Sequence, residues 1–173
     1  SDVCSSDLHP KKNKAMYKTQ TKSVRAGKLV NTEHVNIVIS NYKKERWAHN
    51  SKHIGKEDSL SVWYSVEELE DFLEKVKEYG GDGIKMYFGA YDQEHAPKPL
   101  YEDRQTIVLV ATKTKETANG EINKDLYIST EKENTILAYN AGRICPPFCQ
   151  QNDDFGGIGI TIVDKGEQGI VIV

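Results

Sequence analysis

The chain is predicted to be an α+β protein, with one or two helices packed on a mainly antiparallel sheet of about four to six strands, and three stretches of sequence carry that expectation. Ser65 with Glu68 three residues on spells a capping box. Val66, Leu69, Phe72, Leu73 and Val76 then form one apolar stripe, and Gly80-Gly81 offer a left-handed stop. Ile84, Met86, Phe88 and Ala90 alternate with Lys85, Tyr87, Gly89 and Tyr91, the pattern of a strand with one face in a core. Thr106-Ile107-Val108-Leu109-Val110-Ala111 is apolar at consecutive positions, which suits a central strand covered on both sides.

The other elements follow in chain order. Thr32 is the expected N-cap of a first helix, since Val35, Val38, Ile39 and Tyr42 recur at i, i+3, i+4 and i+7. The β-branched residues Val35, Ile37, Val38 and Ile39 pull the same run toward a strand. Charged Lys43, Lys44, Glu45 and Arg46 lead on to Trp47 and His53, and Ile54-Gly55 reads as a helix stop. Asp92 to Asp103 is a polar loop stiffened by Pro97 and Pro99, and Thr112 to Lys124 reads as a polar connector. Weaker strands are expected at Leu126 to Ser129 and Thr135 to Tyr139, across the charged turn Glu131 to Asn134. Beyond Cys145-Pro146-Pro147-Phe148-Cys149, Gly159 to Val163 and Ile170 to Val173 have the texture of a hairpin weakened by glycine.

Residues 1–8, Ser-Asp-Val-Cys-Ser-Ser-Asp-Leu, read letter for letter as one frame through a common sequencing adapter, as at the end of a metagenomic contig. They are set aside from the fold argument, which leaves Met16 as the expected start and Cys145 and Cys149 as the only thiols. Residues 9–28 then form a basic arm with seven Lys or Arg and no acid, 29–142 an α+β domain, and 143–173 a Cys/Pro turn with a Gly-rich tail or hairpin. The whole chain is −3 and the part from Leu29 onward −8. The arm lacks interleaved aromatics and a nucleic-acid-binding motif, so a solvated tail is the expectation and nucleic acid is not an expected partner. Hydrophobic residues make up 38% and charged residues 28%, and no apolar run reaches the ~20 residues of a membrane-spanning helix. The expected location is therefore cytoplasmic, unless a signal peptide was lost upstream.

Trp63-Tyr64-Ser65-Val66-Glu67-Glu68-Leu69, Gly83-Ile84-Lys85-Met86-Tyr87-Phe88-Gly89-Ala90-Tyr91 and Cys145-Pro146-Pro147-Phe148-Cys149 together resemble a group of small bacterial proteins to which no activity is attached. The resemblance covers about two thirds of the chain and implies no substrate, cofactor or catalytic residue. The segment after Gln150 is longer and more apolar than in that group.

Several chemistries are excluded by motif. There is no phosphate-binding G-x-x-x-x-G-K-[ST], no G-x-S-x-G, no H-E-x-x-H, and no G-x-G-x-x-G opening a helix after a strand. Cys145 and Cys149, with His49 and His53 at helical i, i+4 spacing, admit a Cys₂His₂ metal site. A local disulfide or redox pair, and free thiols in a structural turn, are the other readings, and free thiols are the expectation. Asp92, Glu94 and His95 cluster where a strand leaves the sheet, the minimum for acid–base work in a small hydrolase, but no nucleophile accompanies them. No cofactor and no catalytic residue is assigned. The expected function is that of a small soluble, non-enzymatic binding or interaction protein for an unidentified protein or small ligand. Tyr87, Tyr91 and Tyr101 are the expected contact surface, the first two on the sheet face opposite the core.

Overall fold

The computed structural model describes residues 25–149, 162–164, 167 and 170–172. Its best-defined helix, α3 (Val66–Glu78), is built by the residues that predict it. The Ser65 hydroxyl accepts from the Glu68 amide at 3.1 Å, and the Glu68 carboxylate accepts from the Ser65 amide at 2.9 Å. At the other end Gly80 is left-handed (φ 76°), its amide donates to Lys77, and the Gly81 amide reaches back to Val76, a paired closure that satisfies two orphan carbonyls. A Cβ on Gly81 would stand 2.6 Å from Val76 Cγ1, so only glycine fits there. The apolar stripe is buried through Phe72 and Val76, which pack with Leu109, Ala111 and Leu137.

The sheet that receives them is antiparallel. Strands β2 (Gly83–Ala90), β3 (Gln105–Thr117) and β4 (Gly120–Asp125) lie in that order, and the two-residue β7 (Ala138–Tyr139) also pairs with β3. Ile84, Met86 and Phe88 stand opposite Ala111, Leu109 and Ile107, and residues opposite each other in an antiparallel pair share a face. The predicted central strand is buried at Thr106, Leu109, Val110, Ala111 and Thr112. The stretch expected to be a polar connector is instead a β-ribbon, because the backbone ladder from Thr112–Asp125 to Thr117–Gly120 needs no apolar side chain where both faces meet water. Strands β5 (Tyr127–Ser129) and β6 (Asn134–Ile136) pair across the charged turn, but the strand expected at Thr135 to Tyr139 is split, its end forming β7 against β3.

Residues 143–149, read from sequence as the start of a separate tail, belong to the body. Strand β8 (Arg143–Cys145) pairs with β1 (Ser61–Trp63), and Ile144 is fully buried with Tyr91 and Tyr101 in a second core cluster. A Cβ on Gly142 would meet the Tyr64 ring at 2.5 Å, so glycine lets β8 approach that ring.

The N-terminal helix forms despite its β-branched run. It is α1 (Thr32–Tyr42), continued by a π-helical stretch Lys43–Trp47 and by α2 (Ala48–Ile54), which ends on left-handed Gly55 as expected. Its N-cap is Asn31 rather than Thr32, with Asn31 Oδ1 accepting from the His34 amide at 3.0 Å. No residue of this arm is buried. It is tied down at its far end: the Tyr42 hydroxyl donates to Gln105 Oε1 at 2.5 Å and the Trp47 indole to the Asp58 carbonyl at 2.7 Å. Asp58 is itself buried, and its carboxylate accepts from the Ser59 and Gln105 amides and from Asn50 Nδ2. Near the C-terminus β9 (Ile162–Asp164) and β10 (Ile170–Ile172) pair as an antiparallel hairpin. The expected strand from Gly159 begins outside the described residues, as do the adapter-like segment and all of the basic arm before Arg25.

Candidate apolar binding groove

Helix α3 covers only part of the sheet face that carries Ile84, Met86 and Phe88. Beside it the arm stands off the sheet and leaves a cavity of about 550 Å³. Val38, Ile39 and Tyr42 of α1 form one wall, Met86, Phe88, Ile107 and Leu109 the floor, and Ser59 to Tyr64 one end. None of its lining residues carries a charge, and the polar groups are Tyr42, Tyr64, Ser59, Ser61 and Gln105. Four of these are already engaged, since Tyr64 donates to the Ile107 carbonyl at 3.2 Å, Tyr42 to Gln105, and Ser59 to the Pro146 carbonyl. Burial raises both tyrosine pKa values, which keeps the hydroxyls protonated and the groove neutral. Phe88 is 78% exposed and Met86 68%, so the strand alternation placed both on the correct face, yet nothing among the described residues covers them. Trp63, also half-exposed, lines the groove beneath the Arg143 guanidinium, which lies 4.4 Å from the ring centroid.

The tyrosine surface expected from sequence is corrected by this geometry. Tyr91 is 7% exposed and Tyr101 2%. Both rings are buried because their hydroxyls find partners inside: Tyr91 donates to Asn140 Oδ1 at 2.6 Å and accepts from Thr106, and Tyr101 accepts from the Ile144 amide. Tyr91 escapes the alternation because β2 ends at Ala90, and the loop folds back through Tyr91 N–Arg104 O and Asp103 N–Tyr91 O bonds. Tyr87 alone stays partly exposed. It donates to Asp125 beside Lys85 on the face opposite the groove. The Lys85 ammonium, then the Tyr87 hydroxyl, hold the Asp125 carboxyl below its ordinary range, and Asp125 raises Lys85 in return.

The cysteine expectation is also corrected. Cys145 and Cys149 are joined in a disulfide with their Cα atoms 4.8 Å apart, so they are neither free thiols nor available as thiolate ligands. The Cys₂His₂ combination is thereby lost, and His49 and His53 stand exposed on α2. Among the described residues no group of three or more His, Cys, Asp or Glu is placed to hold a metal ion. At the loop after β2, Asp92 accepts from both the amide and the ring nitrogen of His95, at 2.7 and 2.8 Å. Those bonds lower the Asp92 pKa and close a local turn, both side chains are exposed, and neither residue lines the groove.

The groove was missed in the sequence because it is made of correctly recognised faces. Its signal is an excess: the apolar positions of α1 and of β2 exceed what α3 alone can cover. No family model matches the chain, and no curated protein or solved structure matches it significantly. Among the described residues no helix is long and apolar enough to cross a membrane.

Proposed function

We propose that this is a small non-enzymatic binding protein that takes an apolar ligand, or apolar side chains of a partner, in the groove between α1 and the β2–β3 face. The observation that carries the reading is the uncharged cavity floored by exposed Met86 and Phe88, since folded chains rarely leave a contiguous apolar patch without a use for it. Binding here needs no group chemistry, only removal of apolar area from water at ~25 cal/mol per Å². A hydrolase centred on Asp92 and His95 finds no support, because each is the other's partner in an exposed turn. The disulfide favours an oxidising compartment over the cytoplasm expected from sequence. It closes the turn next to fully buried Ile144, which favours a staple over a redox centre.

The test is titration with the fluorescent apolar probe 1-anilinonaphthalene-8-sulfonate. Wild type is expected to bind one probe per chain, and Phe88→Asp to weaken binding by about tenfold or more with an unchanged denaturation midpoint, since it places a charge in an uncharged site. Equal affinity of the two chains overturns the assignment to this groove.

A further inference from the structure

We propose that the ligand of this groove is a single-chain amphipathic carboxylate, a medium-chain fatty acid, whose alkyl chain lies over Met86 and Phe88 and whose head group meets the Arg143 guanidinium beside Trp63. The inference deepens the binding reading above and rests on it.

The first support is what the groove offers along its length. Of its five polar lining residues, Tyr42, Tyr64, Ser59 and Gln105 already share hydrogen bonds with one another or with backbone carbonyls, which leaves the Ser61 side chain. A ligand polar throughout would give up its hydration there without recovering it. An alkyl chain loses nothing. At about 550 Å³ the cavity has the size of a small-molecule site, and a polar end belongs at its rim.

The second support is that the two rims differ in charge. At the Tyr42 end, buried Asp58 and Arg46 act on the same hydroxyl with opposite signs, and Asp58 has the larger effect, so an anion gains little there. The Trp63 end is different. Arg143 pairs with Trp63 across β8 and β1, and its guanidinium lies over the indole, 4.4 Å from the ring centroid. Among the described residues none of its N–H donors has an acceptor, and no carboxylate stands within ion-pair distance. Acids are not scarce, since the chain from Leu29 onward is −8. Glu68, whose charge reaches neighbouring Tyr64, is already held by the Ser65 amide and hydroxyl and by Tyr139.

The third support is that one molecule can satisfy both ends. A guanidinium stacked on a ring keeps its in-plane donors, a planar fork that suits a carboxylate in bidentate contact. Trp63 is 54% exposed and lines the same groove as Met86 and Phe88, so its ring carries apolar surface from the cation toward the floor.

Isothermal titration calorimetry of the full chain with sodium decanoate, 1-decanol and decyltrimethylammonium tests this, because the three share a chain and differ in the head. Wild type is expected to bind decanoate about tenfold more tightly than the alcohol, and the ammonium no more tightly than the alcohol. Arg143→Gln should bring decanoate down to the affinity of the alcohol and leave the alcohol where it was. Equal binding of decanoate and decanol by wild type overturns the anionic head group and leaves the groove a binding site, as does a preference that survives Arg143→Gln. Weakening of both ligands alike by Arg143→Gln means that Arg143 only holds Trp63 in place, and the proposal fails. Binding of 1-anilinonaphthalene-8-sulfonate but of none of the three also overturns it, and binding of no probe overturns both readings.

Discussion

Helices α3 and α1 present similar apolar stripes to the same protein and meet different fates. On α3 the stripe is sunk into the sheet through Phe72 and Val76, the Ser65–Glu68 box closes one end, and the Gly80–Gly81 turn closes the other. Glu68 also accepts from the Tyr139 hydroxyl, and the Tyr139 ring stacks on Phe72 with centroids 5.5 Å apart, so the cap is tied to the core. On α1 the N-cap is a single bond from the His34 amide to Asn31 Oδ1, and none of Val35, Ile37, Val38 or Ile39 is buried. Capping and amphipathicity make a helix; they do not say what the apolar face will meet. Where the partner surface is already taken by α3, the second stripe faces a cavity, and the candidate site is that remainder.

The sharpest way to break this contrast is to truncate one aromatic on each side. Phe72→Ala is expected to cost about 3–5 kcal/mol by urea denaturation, because the site is closed and cannot collapse. Phe88→Ala should cost less than about 1 kcal/mol, because its ring already meets solvent. Comparable losses would mean that the groove is part of the core. Tyr91→Ala extends the comparison to the second cluster. It should destabilise by about 3 kcal/mol, because it opens a void and strips Asn140 of its donor, and a variant as stable as wild type would return Tyr91 to the surface.

Smaller effects separate the two caps. Ser65→Ala should lower stability by about 1 kcal/mol. Asn31→Ala removes an equivalent bond from a helix with no buried residue, so it should reduce helical circular dichroism while leaving the global midpoint in place. If Asn31→Ala costs as much globally as Ser65→Ala, the arm is integral to the fold. The smallest effect is electrostatic. Hydrogen bonds from the Ser65 amide and hydroxyl, and then from Tyr139, hold the Glu68 pKa below its ordinary 4.5. A depressed carboxylate contributes stability above its unfolded value and loses it as pH falls through the lower folded value. Wild type should therefore lose more stability than Glu68→Gln on acidification below about pH 4.5, and parallel profiles would remove the linkage.

The fold class was legible because α3, β2 and β3 each carry a pattern with a physical period. The ribbon from Thr112 to Asp125 was not, since its residues alternate without hydrophobic contrast and only backbone pairing defines it. At the site, sequence placed Met86 and Phe88 on the right face but took them as covered, and placed Tyr91 and Tyr101 outside when both are core. Both errors share a cause. Alternation reports which side of a strand a residue takes, while burial depends on what arrives from elsewhere in the chain: the folded-back loop at Tyr91, and nothing described at Phe88.

One buried carboxylate, that of Asp58, has a consequence for how the molecule comes apart. Its Oδ1 accepts from the Ser59 amide and from the Gln105 amide at the start of β3, while Oδ2 takes Asn50 from the arm. Two backbone amides distant in sequence thus share one acceptor atom, and neither is released to solvent singly without leaving that charge short of a partner. Their amide protons should exchange as a correlated pair, at the rate at which the Ser59 segment and the start of β3 open together, while the α1 end of the arm is free to fray by itself.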